Sequence, residues 1–272
     1  MRIIVPIKQV PETGAVRMDE ATGTVIREGV EAIINPLDLY AIELAIQLRQ
    51  EHGGEVVALS MGPSSAEAAL REAIAMGCDS GVLLSAPAFA GADTWATGYT
   101  LSAAIRRMGP FDVILCGERA TDGETGQVGP GLAAFLDLPV ATYVGQVDRV
   151  DPDEIQVRRL VENGYEVVAV KLPAVLTVLK EVADPRLPTL AGKRKARVAE
   201  VPVWTSEDLD VDAAKLGLKG SPTRVVKIFR PRLSRQCRMV AAGGDQKVES
   251  AVDELVVFLQ ERNLLQDGSV TT

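Results

Sequence analysis

The amino-acid sequence predicts an α/β protein with a parallel sheet, and three features lead to that prediction. Short β-branched runs alternate with helical segments from residue 2 to residue 144, and the links between them are short. A hairpin pattern and one more apolar strand follow. After Pro185 the chain becomes rich in proline. We therefore predict a sheet domain over residues 1–184, with an added antiparallel hairpin, and an extended C-terminal arm over 185–272 that ends in a helix.

The first elements alternate strand and helix. Residues 2–7 form a β-branched apolar run typical of a buried parallel strand. Residues 8–34 are polar, which predicts a long loop or a small hairpin around Thr22–Gly23. Asn35 and Pro36 predict a helix start, because Asn caps and Pro suits the first helical position. Gly53–Gly54 predicts its end. A strand over 55–60, a helix over 64–76 and a strand over 81–85 follow.

The next elements repeat the alternation and then break it. Asp93 predicts the cap of a helix that runs to about residue 107. A strand over 111–116, a helix over 127–136 and a strand over 140–144 come next. Residues 154–161 and 165–172 flank Glu162-Asn163-Gly164, which predicts an antiparallel hairpin. Residues 174–179 form one more apolar strand.

The segment after Pro185 has too few apolar residues to make a core of its own. It contains four further prolines and a basic run over 193–197, and such a run is most often a solvated face. We expect this arm to lie on another surface. A final amphipathic helix is predicted over 245–262.

Composition excludes several classes of function. Asp and Glu number 37 against 29 Lys and Arg, so the net charge of −8 argues against a nucleic-acid binder. The single histidine, His52, argues against a histidine metal site or a catalytic triad. Cys78, Cys116 and Cys237 form no CxxC pair, and their odd number favours a reducing compartment. We expect no metal, no membrane insertion and a cytoplasmic location.

Loops at the carboxyl ends of the strands have the composition of a ligand site. In open α/β sheets ligands bind at that edge. The loops are 6–9, 60–63, 88–94 and 116–130, and the last contains several glycines that would let a ligand approach the backbone. Free N–H groups at the next helix start favour phosphate, although Glu118, Asp122 and Glu124 would repel it unless they face away. A nucleotide site and an ordinary glycine-rich turn both fit. GxGxxG after the first strand and GxxxxGK[ST] are both absent.

Other candidate residues also have a structural alternative. Thr94 and Thr97 fit either the first turn of a helix or contacts to a phosphate or ribityl chain. For Asn35 a helix cap is the favoured interpretation, and a contact to the ligand is the alternative. Cys116, at the end of an apolar strand, fits a core position better than a nucleophile.

Seven segments resemble the beta subunit of the electron transfer flavoproteins over nearly the whole chain. They are MRIIVPIKQVP, INPLDLYAIELAIQL, ALSMGP, LREAIAMGCD, DVILCGERATDGETGQVGP, VKLPAVLTV and DPRLPTLAGKRKAR. The resemblance implies an adenine nucleotide hydrolase-like fold and a heterodimer with an alpha subunit that carries FAD. It also implies that the C-terminal arm and helix embrace that subunit. In most members the beta subunit holds AMP. In electron-bifurcating members it holds part of a second FAD that takes a hydride from NADH.

The loop DGETGQVGP and the segment FAGADTWAT resemble the bifurcating group more closely, although related sequences often carry Asp and then Ala at the outer positions of Glu124-Thr125-Gly126. The resemblance therefore implies FAD, with AMP as the alternative, and NADH as electron donor. It implies no catalytic side chain. Leu190 would dock partner dehydrogenases, unless it simply contacts the alpha subunit. The partner redox protein would be a dehydrogenase, a ferredoxin or a quinone-linked oxidoreductase. The cofactor-binding residues that it implies are Ile7, Asn35, Asp38, Met61, Thr94, Thr97, Cys116, Asp122, Gly123, Thr125, Gly126, Gln127 and Val128.

Overall fold

The structure is a computed structural model. It describes residues 1–12, 17–18, 25–26, 32–226, 239–240, 244–262 and 264. Contacts divide the chain into two compact units, Met1–Ile228 and Phe229–Thr272.

The strands and helices are numbered in chain order. The strands are β1 (Arg2–Ile7), β2 (Gln9–Pro11), β3 (Arg17–Met18), β4 (Val25–Ile26), β5 (Ala32–Ile34), β6 (Glu55–Met61), β7 (Ser80–Leu84), β8 (Val113–Gly117), β9 (Val140–Val150), β10 (Glu154–Val161), β11 (Gly164–Lys171), β12 (Ala174–Val178) and β13 (Val203–Trp204). The helices are α1 (Asp38–His52), α2 (Glu67–Met76), α3 (Thr94–Met108), α4 (Val128–Leu136), α5 (Leu190–Val198), α6 (Gly217–Gly220) and α7 (Asp245–Gln260).

One mixed sheet organises the first unit. Its order is β11-β10-β9-β12-β8-β1-β6-β7-β13. Neighbouring strands pair in parallel along the part β9-β12-β8-β1-β6-β7-β13. At the other end of the sheet, β10 pairs antiparallel with both β9 and β11. The predicted α/β class, the parallel sheet and the added hairpin are therefore confirmed.

Side chains alternate between the two faces of the sheet and build a core on each. Ile3 and Val5 of β1 pack with α1 and α2 on one face, and Ile4 packs with α3 and α4 on the other. This alternation explains why the parallel strands are apolar throughout: both of their faces are covered by helices.

Most predicted elements are found within two or three residues of their expected ends, but the start of α1 differs. Asp93 caps α3 as predicted, by accepting the Ala96 N–H at 3.0 Å. The cap predicted at Asn35 is wrong. Leu37 holds the cap position of α1, and the Asn35 side chain makes longer-range bonds instead. The predicted small hairpin is confirmed by the pairing of β3 with β4, while its turn at Thr22–Gly23 lies outside the described residues.

The stretch from 185 to 226 is more regular than the sequence predicts. The basic run lies in α5, which packs against α2 through the buried Ala196, while Lys193, Arg194 and Arg197 are exposed. Beyond it, β13 adds a parallel strand beside β7. This stretch therefore rests on the sheet unit of its own chain. Whether residues 185–272 also embrace a second subunit, as a unit distinct from 1–184, stays a prediction.

The second unit contains α7, which confirms the predicted final helix. Its apolar side chains include Val252, Leu255 and Phe258, and each is exposed by 40% or more. Among the described residues, no helix has both the length and the apolar character needed to span a membrane.

Candidate functional site

The sheet reverses its winding between β1 and β8, and this is where the candidate site lies. From β1 the chain continues through α1 to β6 on one side, whereas β8, on the other side of β1, leads towards β12. Loops that leave two such strands diverge and open a crevice beyond their carboxyl ends, where ligands of open α/β sheets bind. Here the crevice is bordered by Lys8 after β1 and by the loop 118–127 after β8.

Asn35 joins the two sides of the crevice. It is completely buried. Its Nδ2 group donates to Asp38 Oδ1 and to the Arg119 carbonyl, both at 2.9 Å, and its Oδ1 accepts the Thr121 N–H at 3.1 Å. The Asn35 backbone N–H donates to the Lys8 carbonyl at 2.8 Å. One side chain thus fixes the first part of the glycine-rich loop to the start of α1.

Asp38 supports this arrangement from the first turn of α1. Its Oδ2 accepts the Lys8 N–H at 2.8 Å, and the side chain is almost fully buried. Burial raises the pKa of Asp38 to about 7, against the opposing effects of the Asn35 and Lys8 hydrogen bonds and the Lys8 charge. Gly117 is needed beside it, because a Cβ there would lie 2.4 Å from Asp38 Oδ1.

The rest of the loop has backbone conformations and open space that suit a ligand. Glu124 and Gly126 have φ of +52° and +63°, which places successive backbone groups in an unusual orientation. A Cβ at Gly123 would meet no atom within 4 Å. The loop therefore leaves its backbone accessible at Gly123.

Two helix N-termini meet at the same place. The Thr94 hydroxyl, in the first turn of α3, donates to Gln127 Oε1 at 2.8 Å, and Gln127 directly precedes α4. Within the described residues, no side chain caps α4. The first N–H groups of α4 are therefore available to an anion.

Two basic side chains offset the acidic residues of the loop. Lys8 Nζ lies 2.7 Å from Asp122 Oδ1, and Arg119 pairs with Glu118. Because these pairs neutralise two carboxylates, the acidic composition of the loop does not oppose a phosphate as strongly as the sequence suggests.

Most of the residues implied by the resemblance come to this one edge of the sheet. Each lies at the end of a strand, in the loop that follows it or in the first turn of the next helix: Ile7, Asn35, Asp38, Met61, Thr94, Thr97, Cys116, Asp122, Gly123, Thr125, Gly126, Gln127 and Val128. Leu190 begins α5 on the flank of α2 and is 79% exposed. Cys116 lies in the core, and burial raises the pKa of its thiol, in agreement with the structural interpretation. Whether any of these residues contacts a cofactor stays a prediction.

The sequence analysis did not include Lys8 or Arg119 among the site residues. Lys8 directly follows a buried strand, which is a usable signal, but its ionic partner Asp122 is far away in the sequence. Arg119 contributes its backbone carbonyl, and sequence carries little information about such a contact.

Comparison with known proteins identifies the family. The family model for the electron transfer flavoprotein domain matches residues 22–209. The chain is 47% identical over 266 residues to the electron transfer flavoprotein subunit beta of Thermoanaerobacterium thermosaccharolyticum, covering 97% of this chain and 100% of the relative. This chain belongs to the electron transfer flavoprotein beta-subunit family. The family matches the resemblance expected from the sequence.

Two further relatives cover the same length. The electron transfer flavoprotein subunit beta of Clostridium acetobutylicum is 45% identical over 265 residues, with 97% of this chain and 100% of the relative covered. The caffeyl-CoA reductase-Etf complex subunit CarD of Acetobacterium woodii is 41% identical over 266 residues, with the same coverage. The electron transfer flavoprotein family thus includes a relative that is named as part of a reductase complex.

Proposed function

We propose that this chain is the beta subunit of a heterodimeric electron transfer flavoprotein and that it binds FAD at the crevice between β1 and β8. The observation that carries the proposal is the uncapped N-terminus of α4 beside the glycine-rich loop. Its backbone N–H groups suit a pyrophosphate, and Thr94 and Gln127 add neutral polar groups.

The residues present fit such a group on chemical grounds. Gly123 has open space where a side chain would obstruct a ligand. The carboxylate of Asp122 already has a cationic partner in Lys8. FAD, when bound, would supply hydride acceptance from NADH and electron transfer to partner redox proteins, in the manner of flavin-based bifurcation. The chain itself would bind and orient the nucleotide and exclude water from it.

The alternative is a structural role in which AMP occupies the crevice. The same N–H groups suit the single phosphate of AMP, so the geometry of this subunit fits both ligands. All redox chemistry would then belong to an FAD of the alpha subunit, and the pair would shuttle electrons for acyl-CoA or related dehydrogenases.

The partners are part of the proposal. We propose an alpha subunit in the heterodimer and a dehydrogenase, ferredoxin or quinone-linked oxidoreductase as redox partner, with the exposed Leu190 as the docking residue for dehydrogenases. The name of the Acetobacterium woodii relative supports association with a reductase. A cytoplasmic location, expected from the odd cysteine count, also stays a prediction.

Cofactor stoichiometry tests the proposal. The chain is co-expressed with its alpha subunit, the purified heterodimer is denatured, and FAD and AMP are quantified. Two FAD and no AMP per heterodimer would support the flavin site, and reduction by NADH would be measured next. One FAD and one AMP would support the structural alternative.

A variant locates the nucleotide in this crevice. Gly123→Val should lower the content of the second nucleotide, because its side chain would enter space that is open in the protein alone. Gly145→Ala, on β9, is the control, since its Cβ would meet neighbours only at ordinary contact distance. Unchanged nucleotide content in Gly123→Val would contradict this location.

A further inference from the structure

We propose that Asn35 and Asp38 are positioning residues: they hold the glycine-rich loop in its binding conformation and do not themselves contact the nucleotide. The inference rests on the proposed function, since it assumes a nucleotide in the crevice. It differs from the role that the resemblance implies for these two residues, which is direct contact.

The side-chain amide of Asn35 already has all of its hydrogen-bonding partners within the protein. Both of its N–H groups donate, to Asp38 and to the Arg119 carbonyl, and its oxygen accepts from Thr121. The side chain is fully buried. A nucleotide could bind to this amide only after one of these bonds had broken, and breaking a buried hydrogen bond is unfavourable.

Asp38 fixes the orientation of the Asn35 amide. Asp38 Oδ1 accepts from Asn35 Nδ2 at 2.9 Å, so the Asn35 oxygen must face Thr121. The other carboxylate oxygen accepts the Lys8 backbone N–H at 2.8 Å. An ionised carboxylate only accepts hydrogen bonds, so it fits this position, where each of its two oxygens faces an N–H donor. A protonated carboxyl group would set its O–H against an N–H donor.

The two loop residues that Asn35 anchors directly precede the segment that would face a ligand. Arg119 and Thr121 lie between the end of β8 and the ligand-facing segment 122–127. Thr121 also has a buried hydroxyl with no hydrogen-bond partner among the described residues, so its backbone N–H bond to Asn35 is its anchor. The direction in which the following N–H groups point is therefore set by Asn35.

Protonation of Asp38 should then weaken nucleotide binding near neutral pH. The pKa of Asp38 is raised to about 7 by burial. The charged groups that face it are Lys8, whose charge favours the ionised form, and Asp122, which opposes it. The Cys116 thiol lies close enough for Asp38 to raise its pKa further, and it stays neutral in this range.

The first experiment measures the loop without a ligand. The heterodimer is stripped of the beta-subunit nucleotide, and amide hydrogen exchange is followed over residues 118–127. Asp38→Asn is nearly isosteric, but its amide would place a donor against Lys8 or Asn35. We expect exchange at Thr121 to rise about tenfold in Asp38→Asn and more in Asn35→Ala, in keeping with opening of a locally protected bond. Direct contact without positioning predicts wild-type exchange in both variants, and that result would overturn the inference.

The second experiment titrates the stripped heterodimer with AMP between pH 6 and pH 8. We expect the Kd ratio of Asp38→Asn to wild type to be about 10 at pH 8 and to approach 1 at pH 6, where wild type is itself protonated. Taking the ratio cancels the titration of the AMP phosphate. A ratio close to 1 at pH 8, where wild-type Asp38 is ionised, would overturn the inference. If wild type binds neither AMP nor FAD at any pH, while exchange at Thr121 still responds to Asp38→Asn, the proposed function fails rather than the anchoring.

Discussion

Gly129→Ala, in the first turn of α4, tests how closely this helix approaches the sheet below the candidate site. A Cβ at Gly129 would lie 2.4 Å from Thr177 Cγ2 on β12, far inside normal contact distance. The next atoms, Cys116 Cβ and Sγ, are at 3.6 and 3.7 Å, which is ordinary contact. A single methyl group of Thr177 thus determines whether alanine fits.

The magnitude follows from overpacking of a rigid core. Forcing an extra methyl group into such a core costs roughly 1–3 kcal/mol of unfolding free energy. Thr177→Ser removes only Cγ2 and keeps the oxygen that accepts the Tyr143 N–H at 3.1 Å. Alone, it should cost about 1 kcal/mol, the value of one buried methyl group. In the double variant the new Cβ fills the vacated space, so its stability should be close to that of Thr177→Ser alone.

Urea denaturation of the full chain, followed by circular dichroism, measures the four members of this double-mutant cycle. We expect a favourable coupling energy of roughly 1–3 kcal/mol between the two substitutions. Simple addition of the two single losses in the double variant would refute the reasoning, as would a wild-type stability for Gly129→Ala. Nucleotide content of the heterodimer should follow the same order, because the clash displaces the N-terminus of α4.

Three further predictions concern other contacts. Glu43→Gln should cost about 2 kcal/mol at pH 7, because the buried Glu43 carboxylate accepts three bonds from Arg186 at 2.7 to 3.1 Å. Arg186 holds the pKa of Glu43 below its usual value despite burial. The wild type should therefore lose this stabilisation in acid, so the difference in unfolding free energy between Glu43→Gln and wild type, measured by urea melts, should shrink as the pH falls below about 4.5. A difference that stays constant with pH would contradict this. Asp93→Ala should lower the stability of the chain by about 1 kcal/mol through loss of the α3 cap, which a thermal melt would detect as a lower Tm. In a Trp204→Phe background, the fluorescence of Trp95, beside the crevice and 39% exposed, should change when AMP is added to the stripped heterodimer, and an unchanged spectrum at saturation would count against a nucleotide near α3.

The alternation of strands and helices could be predicted because it depends on local patterns. The β-branched run of β1, the Asp93 cap and the hairpin of β10 and β11 each carry their signal within a few residues. The antiparallel extension of β9 to Val150 could not be predicted in the same way, since no residue of its outer half is fully buried and its order comes from pairing with β10.

The helix α5 and the anchoring role of Asn35 were missed for related reasons. Only Ala196 of α5 is buried, so too few apolar positions mark a side that faces a core, and packing on α2 decides the conformation. Asn35 has the local signature of a cap, but bonds to Arg119 and Thr121, distant in sequence, outweigh it. The resemblance placed Asn35 and Asp38 at the site, whereas only the three-dimensional contacts suggest how they act there.

The short strand β13 has a consequence for how this chain is made. Without it, β7 would form a bare sheet edge, which invites pairing with other chains. Backbone bonds from Leu83 to the Pro202 carbonyl and from Ser85 to the Trp204 carbonyl, both at 3.0 Å, cover that edge. During synthesis β7 is complete once Leu84 has been added, whereas its covering strand is complete only at Trp204. Fragments that stop before β13 should therefore self-associate through the uncovered edge of β7. Nascent chains of the same length expose that edge as well, so this is the stage of synthesis at which binding by a chaperone would prevent most aggregation.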